Sequence, residues 1–244
     1  VKVLALSTST PRGSVALVRD GEALAAVAYV DLQGHAERIF EALDAVLAEA
    51  GVPRSAVEGL ACDVGPGSFT GVRVGVASAK GMALGLGLRL AGVVSLEAMA
   101  AAAFDAGAAG PGDVVVAAID AKKSEVFAAA YDARGTVLAA PRARPLGPDA
   151  FALKPAPGGG RVVVVGEVAA GVALPDGLHL ARGASFDLPD ATWIGRLACR
   201  RLALAEGADG ADEVEPLYVR PPDITAARPK QTAAGGDPQA PWLG

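Results

Sequence analysis

An α/β protein built from two copies of a strand–strand–strand–helix–strand–helix unit is what this sequence predicts, and three observations predict it. The first is the order of hydrophobic patterns, which runs once through residues 1–105 and then restarts near Val114. The second is a weak self-similarity at an offset of about 113 residues, in which "VLALSTSTPRGSVALVRDGEALAA" lines up with "VVAAIDAKKSEVFAAAYDARGTVLAA". The third is punctuation, because turn signals such as Asp20-Gly21, Gly51 with Pro53, and Asp132 to Gly135 bound the periodic segments, although the helix Thr70–Leu88 carries glycines within it.

Val3 to Leu6 is a short apolar run, read as a buried strand. Ser14 to Val18 and Glu22 to Val30 follow it, joined by Asp20-Gly21, a strong hairpin signal. His35 to Ala50 is a helix closed by Gly51 and Pro53. Ile39, Phe40, Leu43, Val46, Leu47 and Ala50 share one of its faces, with Glu37, Glu41, Asp44 and Ala48 opposite. Gly59 to Val64 reads as a strand, Gly65 to Ser68 as a loop and Thr70 to Leu88 as a helix. Arg89 to Val94 then reads as a strand, and a helix capped by Ser95 runs through Phe104. The second half reads as strands at Val114–Ile119, Glu125–Tyr131 and Thr136–Ala140. A short helix at Pro148–Leu153, a strand at Arg161–Val165 and an amphipathic helix at Asp190–Glu206, capped by Asp190, complete it. The expected division is an N-terminal lobe over 1–105, a smaller second lobe over 106–223 and a tail over 224–244. Prolines and glycines break any pattern in that tail.

Composition narrows the function. The 244 residues are 52% hydrophobic with a net charge of −5, so no basic field dominates that would hold nucleic acid without help. Two cysteines, Cys62 and Cys199, make no disulfide framework, and no apolar stretch is long enough to span a bilayer. A reducing, cytoplasmic setting is the expectation, with no membrane partner.

The richest segment is Gly65-Pro-Gly-Ser-Phe-Thr-Gly-Val-Arg-Val-Gly75, which follows a strand and opens a helix. Glycine allows close backbone approach there, and free helix-start amides attract anions. Gly65, Gly67, Ser68 and Thr70 are therefore candidates for phosphate contact. The P-loop and dinucleotide fingerprints both fail, since no lysine stands at the required place and Thr70 replaces the third glycine. Gly71, Gly75 and Ala79 then recur at every fourth position, and Gly81 and Gly85 form a second small pair. Glycine inside a helix costs about 1 kcal/mol relative to alanine. Another backbone must therefore pack close, either from the chain's own sheet or from a partner's helix.

Catalytic constellations are weak. Ser68 does not sit in a GxSxG elbow, and only His35 and His179 are present to serve it as base. No CxxC or HExxH motif exists, so no metal site is expected. Arg73 and Lys80 are read as a polar rim or as phosphate contacts. Glu97, Asp120 and Glu125 form an acidic cluster only if the halves meet, and Arg220 is read as an anchor for the last strand rather than a tRNA contact.

Duplicated βββαβα halves resemble the actin, hexokinase and Hsp70 (ASKHA, ribonuclease H-like) fold. More specifically, the Gly65–Gly75 segment resembles the GPGSFTGxRxG signature of the TsaB (YeaZ) family. "VLALSTST", "GHAERIFEALDAVLAEAG", "GVVSLEAMA", "AAIDAKKSEVFAAAYD" and "VEPLYVRPPD" are similar to family segments in the same order, so the resemblance covers about residues 1–223. It implies a non-catalytic subunit that works with TsaD and the ATPase TsaE to make threonylcarbamoyladenosine beside the anticodon of tRNAs. It further implies contact with tRNA only through that complex, a homodimer when alone, and no cofactor of its own, with ATP or ADP at the complex interface. The helices His35–Ala50 and Thr70–Leu88 would be the contact elements, through Ile39, Leu43, Gly71, Arg73, Gly75 and Ala79. One departure is Ser7, where the family's first strand usually carries the Asp of "DTST"; TsaD's HxxxH metal pair is likewise incomplete at His35-Ala-Glu-Arg-Ile39. The rival readings are a peptidase or phosphotransferase of the same fold, and a free-standing homodimeric nucleotide binder.

Overall fold

A computed structural model describes residues 1–31, 36–151, 159–204 and 213–220. His35 and the 224–244 tail lie outside the described residues.

Two five-stranded sheets organise the chain. The first holds β1 (Lys2–Ser7), β2 (Arg12–Arg19), β3 (Glu22–Val30), β4 (Gly59–Asp63) and β5 (Arg89–Val93), in the order β3-β2-β1-β4-β5. The second holds β6 (Val114–Lys122), β7 (Glu125–Tyr131), β8 (Val137–Pro145), β9 (Val162–Val165) and β10 (Leu178–Leu180), in the order β10-β9-β6-β7-β8. In each sheet the first three strands form an antiparallel meander and the later ones add in parallel. This is the duplicated arrangement that the restarting pattern predicts, and it is an actin-like fold.

Among the described residues, four α-helices complete the layers: α1 (Ala36–Ala50), α2 (Phe69–Leu86), α3 (Ser95–Asp105) and α4 (Ala191–Leu204). The period-2 alternation of β1 shows why both faces of the first sheet are covered. Leu4 and Leu6 point outward into a cluster with Ile39, Leu43, Val46 and Leu47 of α1 and Val72, Val76 and Ala79 of α2. Val3 and Ala5 point inward to α3 and α4, which lie between the two sheets. Val115, Ala117, Phe127, Ala129 and Tyr131 of the second sheet meet those helices from the other side. The alanine wealth of the sequence belongs to this middle layer, where Ala98, Ala102, Ala103 and Ala198 let helix and sheet approach closely. Gly195 needs no side chain at all, because a Cβ there would stand 2.6 Å from Val18 Cγ2.

The helices are exchanged between halves. α4 follows the second sheet in sequence yet lies across β1, β2, β4 and β5, while α3 packs on β6 and β7. Arg201 of α4 ties the pair by reaching both carboxylate oxygens of Glu97 at 2.7 Å.

Several boundaries differ from the sequence reading. The helix expected at 148–153 is one 3-10 turn over Pro148–Phe151, within the described residues, whose buried Ala150 and Phe151 cover the second sheet's outer face. β8 runs over Val137–Pro145, past the expected end at Ala140, and it includes Pro141 and Pro145; it is an edge strand, where a missing amide costs no ladder bond. Ser95 is the first residue of α3 rather than its cap, because its hydroxyl turns to Ser9 and Asp63. Asp20-Gly21 does form the hairpin turn, with both residues at positive φ, and Asp190 does cap α4 through Thr192 N at 2.9 Å.

Asp113 closes the entry to the second sheet. Its carboxylate accepts from Gly110 N, Arg161 N, Arg161 Nε and Arg161 Nη2, at 2.7–3.2 Å. The Arg161 side chain and these amides hold its pKa down at about 2, below the usual 3.8. A depressed folded-state pKa stabilises the fold above the unfolded value, and that stability is lost as pH falls through the folded value. Urea melts of wild type and Asp113→Asn are therefore expected to differ at pH 6 and to converge as pH drops from about 4 towards 2. An equal gap at both ends would show that Asp113 acts by shape alone.

Candidate functional site

Between the carboxyl ends of the two sheets lies a cleft of about 1230 Å³. One wall is the β1–β2 turn (Ser9 to Arg12) with the glycine loop (Pro66 to Thr70). The other is the β6–β7 hairpin tip (Asp120 to Ser124), and Leu217 to Arg220 runs along the mouth.

The glycine loop is built against the end of β1. Ser68 N donates to Ser9 O at 2.6 Å, and a Cβ on Gly67 would stand 2.2 Å from that same oxygen. Ser68 Oγ caps α2 by accepting from Gly71 N at 3.2 Å. Of the residues offered by the sequence for phosphate contact, Ser68 thus has both its amide and its hydroxyl engaged internally. Thr70 is exposed at the cleft wall and Gly65 is buried beneath it at φ +93°.

The small-residue face of α2 packs the same way, which corrects part of the predicted partner surface. A Cβ on Gly71 would stand 2.1 Å from Thr8 O, and one on Gly75 would stand 2.2 Å from Thr8 Oγ1. Thr8 Oγ1 donates to Gly71 O at 2.8 Å. Ala79 is fully buried, as is Ile39, and Leu43 is nearly so. Ile39, Leu43, Gly71, Gly75 and Ala79 are therefore core positions, because the apolar stripe of an amphipathic helix is taken first by the chain's own sheet. Of the six expected interface residues, only Arg73 faces solvent.

The exposed face of α2 carries a different track. Arg73, Ala77, Gly81 and Gly85 recur every fourth residue and all are exposed. Nothing lies within 4 Å of a Cβ built on Gly81 or Gly85. Leu84 and Leu86 are 65% and 53% exposed beside this track, and Phe40 of α1 is 52% exposed. At the head of the track the Arg73 guanidinium stacks 3.7 Å from the Phe69 ring centroid, and its Nε donates to Tyr218 Oη at 2.7 Å.

Beneath the glycine loop sits Asp63, which the sequence reading passed over. It ends β4 fully buried. Ser7 Oγ donates to its Oδ2 at 2.7 Å, Ser9 N to Oδ2 at 3.4 Å and Thr8 N to Oδ1 at 3.3 Å. Ser95 Oγ stands 3.4 Å from Oδ2. Burial raises the Asp63 pKa, opposed by the hydrogen bonds from Ser9, Ser7 and Thr8. The available signal was a charged residue closing the apolar run "LACD" immediately before the loop.

The remaining candidates are accounted for singly. Glu97 pairs with Arg201, Asp120 with Lys122 and Glu125 with Arg220, and no group of three acids that could hold a metal ion forms among the described residues. Arg220 ties the segment 213–220, which is not the strand expected there, to Glu125 of the β6–β7 hairpin, and Lys80 of α2 holds Glu215 at 2.7 Å. Cys62 is buried, which raises its thiol pKa well above the ordinary value. His179 is exposed on β10, an edge strand of the second sheet, and is not among the residues that line the cleft with Ser68. None of the described helices is long and apolar enough to cross a membrane.

Comparison with known proteins bears on the family and the fold. Residues 30–149 match the family model "TsaD: tRNA N6-adenosine threonylcarbamoyltransferase". The tRNA threonylcarbamoyladenosine biosynthesis protein TsaB of Haemophilus influenzae is 44% identical over 125 residues, 51% of each chain; the match thus spans about half of that relative. The activator of 2-hydroxyisocaproyl-CoA dehydratase from Clostridium difficile shares the fold alone, at 9% identity and a TM-score of 0.51, over 89% of this chain and all of that one. A Pseudomonas aeruginosa structure, described as an uncharacterized protein similar to peptidase YeaZ, is 31% identical with a TM-score of 0.77. That likeness covers 90% of this chain and 99% of the other, and with the GPGSFTG loop seated on β1 it places the chain in the TsaB (YeaZ) family.

Proposed function

We propose that the chain is a non-catalytic scaffolding and activating subunit for threonylcarbamoylation of the adenosine next to the anticodon in tRNAs. Its partners in this reading are a TsaD-type transferase and a TsaE-type ATPase, with tRNA reached only through the complex and a homodimer formed in isolation. The observation that carries the reading is the solvent-facing track of α2. Gly81 and Gly85 forgo helix propensity, roughly 1 kcal/mol each, although the chain's own fold leaves open space above them. A helix approaching closely along that track would account for the cost, and Leu84 and Leu86 supply apolar flanks, with Phe40 of α1 also exposed. Small residues at a helix contact permit such close approach.

The cleft lends the enzyme readings less support. Asp120 is paired with Lys122, Arg12 with Asp190 and Arg220 with Glu125. The carboxylate beneath the loop is buried under hydroxyls rather than directed at a ligand.

Reconstitution tests the reading. Threonine incorporation into unmodified tRNA by transferase, ATPase and threonylcarbamoyl-adenylate synthase is expected to require this chain. Gly81→Leu is expected to fold normally, since its Cβ meets nothing, yet to weaken transferase binding at least about 10-fold by filling the helix contact. Modification at full rate without the chain would refute the role, and unchanged affinity of a folded Gly81→Leu would remove α2 from the interface.

A further inference from the structure

The head of the α2 track is more than an edge. Arg73 is exposed, yet its guanidinium is held on two sides. One face stacks on Phe69, four residues earlier on the same helix, at 3.7 Å from the ring centroid. Tyr218 adds a second ring at 5.5 Å, and its hydroxyl accepts from Nε at 2.7 Å. Phe69 and Tyr218 themselves pack with centroids 5.6 Å apart. Tyr218 is fixed in turn, because Leu217 N donates to Val64 O at 2.8 Å and Arg220 is tied to Glu125.

The stack leaves the terminal nitrogens Nη1 and Nη2 with no hydrogen-bond partner among the described residues. A guanidinium presents a planar fork that matches a carboxylate in a two-point geometry. Most surface arginines lose side-chain freedom when they bind; this one is already immobilised, so the ordering cost of using it is reduced. Arginine beside aromatic rings is also the composition typical of strong interface anchors. The position fits, because Arg73 stands four residues before Ala77 on the line that continues to Gly81 and Gly85. A helix seated on those small residues would pass its end over the fork.

We propose that Arg73, braced by Phe69 and Tyr218, is a preformed carboxylate receptor that fixes the register of the partner helix on α2 through an aspartate or glutamate of that helix. The inference rests on the docking reading above and adds the chemistry of its anchor. No acid of the neighbouring helix α1 fills the fork among the described residues. The exposed acids of α1, Glu37, Glu41, Asp44 and Glu49, are not engaged with Arg73, and Asp44 is paired with Arg54.

The test is the affinity of the full chain for its cognate TsaD-type transferase, measured by calorimetry for wild type, Arg73→Gln, Arg73→Lys, Tyr218→Phe and Gly81→Leu, each shown folded by its urea midpoint. Arg73→Gln is expected to weaken binding about 10-fold or more, as loss of a two-point charged contact does. Arg73→Lys should recover only part of that, because charge returns without the fork. Tyr218→Phe, which keeps the ring and frees the guanidinium, should fall between wild type and Arg73→Gln. One acidic residue of the transferase, changed to its amide, should give no further loss in the Arg73→Gln background. If Gly81→Leu weakens binding and Arg73→Gln does not, the receptor is wrong and the docking face stands. If neither does, the docking face itself is wrong. If the Arg73→Gln loss appears only with added ADP or inorganic phosphate, the fork takes a phosphate and the carboxylate assignment is overturned.

Discussion

Alanine at Gly71 is expected to destabilise the fold by about 3 kcal/mol or more, at or beyond the upper end of ordinary overpacking. The same change at Gly81 is expected to stabilise it by roughly 0.5–1 kcal/mol through helix propensity. The two glycines are ten residues apart on one helix and differ in what a methyl group would meet. At Gly71 the new Cβ would stand 2.1 Å from Thr8 O, a backbone atom. Thr8 cannot retreat easily, because its amide is bonded to Asp63 and its hydroxyl to Gly71 O. At Gly81 nothing lies within 4 Å. For a chain of this size each kcal/mol moves Tm by about 2–4 °C. Gly71→Ala should therefore melt roughly 6–12 °C lower and Gly81→Ala slightly higher. Gly75→Ala should fall between them, since its clash is with the Thr8 hydroxyl, which can turn at the loss of one hydrogen bond. Urea and thermal melts of the three variants decide the matter. A Gly71→Ala midpoint within 1 °C of wild type would mean that α2 is not seated on the end of β1.

That contrast also marks where sequence reading reached its limit. The paired small tracks of α2 were visible as spacing, because a period of four survives translation into a helix face. Which track faces inward was not, since a glycine is equally silent toward a strand and toward a partner. Only the position of Thr8, sixty-three residues earlier, decides it. The amphipathic stripe of α1 was legible, but Ile39 and Leu43 are buried in the chain and Phe40, between them, is outside. Strands β1, β2, β4, β6, β7 and β9 were legible as apolar runs because both faces of each sheet are covered. β10 was missed: it has three residues, and its partly exposed edge leaves no such run. The exchange of α3 and α4 between the sheets could not be read, because their alanines suit either sheet. Asp63 was missed for a related reason, since a single carboxylate ending a strand carries no period, and its meaning lies in the hydroxyls that fold around it.

Ser7 and Asp63 are expected to be interchangeable as a pair and not singly. β1 and β4 run parallel with Leu6 opposite Cys62, which brings the next residues, Ser7 and Asp63, side by side at the end of the strands. The family pattern that the chain resembles carries its carboxylate at the Ser7 position. Here the carboxylate stands one strand over and accepts the Ser7 hydroxyl at 2.7 Å. An aspartate at position 7 would thus reach nearly the same point. Ser7→Asp alone places two carboxylates in one fully buried pocket with no cation hydrogen-bonded to Asp63 among the described residues, which should cost about 3 kcal/mol or more. Asp63→Ser alone removes the acceptor of Ser7 Oγ, Thr8 N and Ser9 N, at roughly 1–3 kcal/mol for each donor left unpaired. The double variant restores one carboxylate and one hydroxyl, so a double-mutant cycle should give a favourable coupling of about 3 kcal/mol. The pH dependence provides an independent check. Burial raises the Asp63 pKa, so the folded state binds this proton more readily than the unfolded chain does. Stability from this group is then greatest below the ordinary carboxylate value and declines as pH rises through the folded value. Ser7→Asp should steepen that decline, because one proton relieves the repulsion between its two carboxylates, and acid should partly rescue it. Additive losses in the cycle, with no acid rescue of Ser7→Asp, would mean that the two side chains do not share one site.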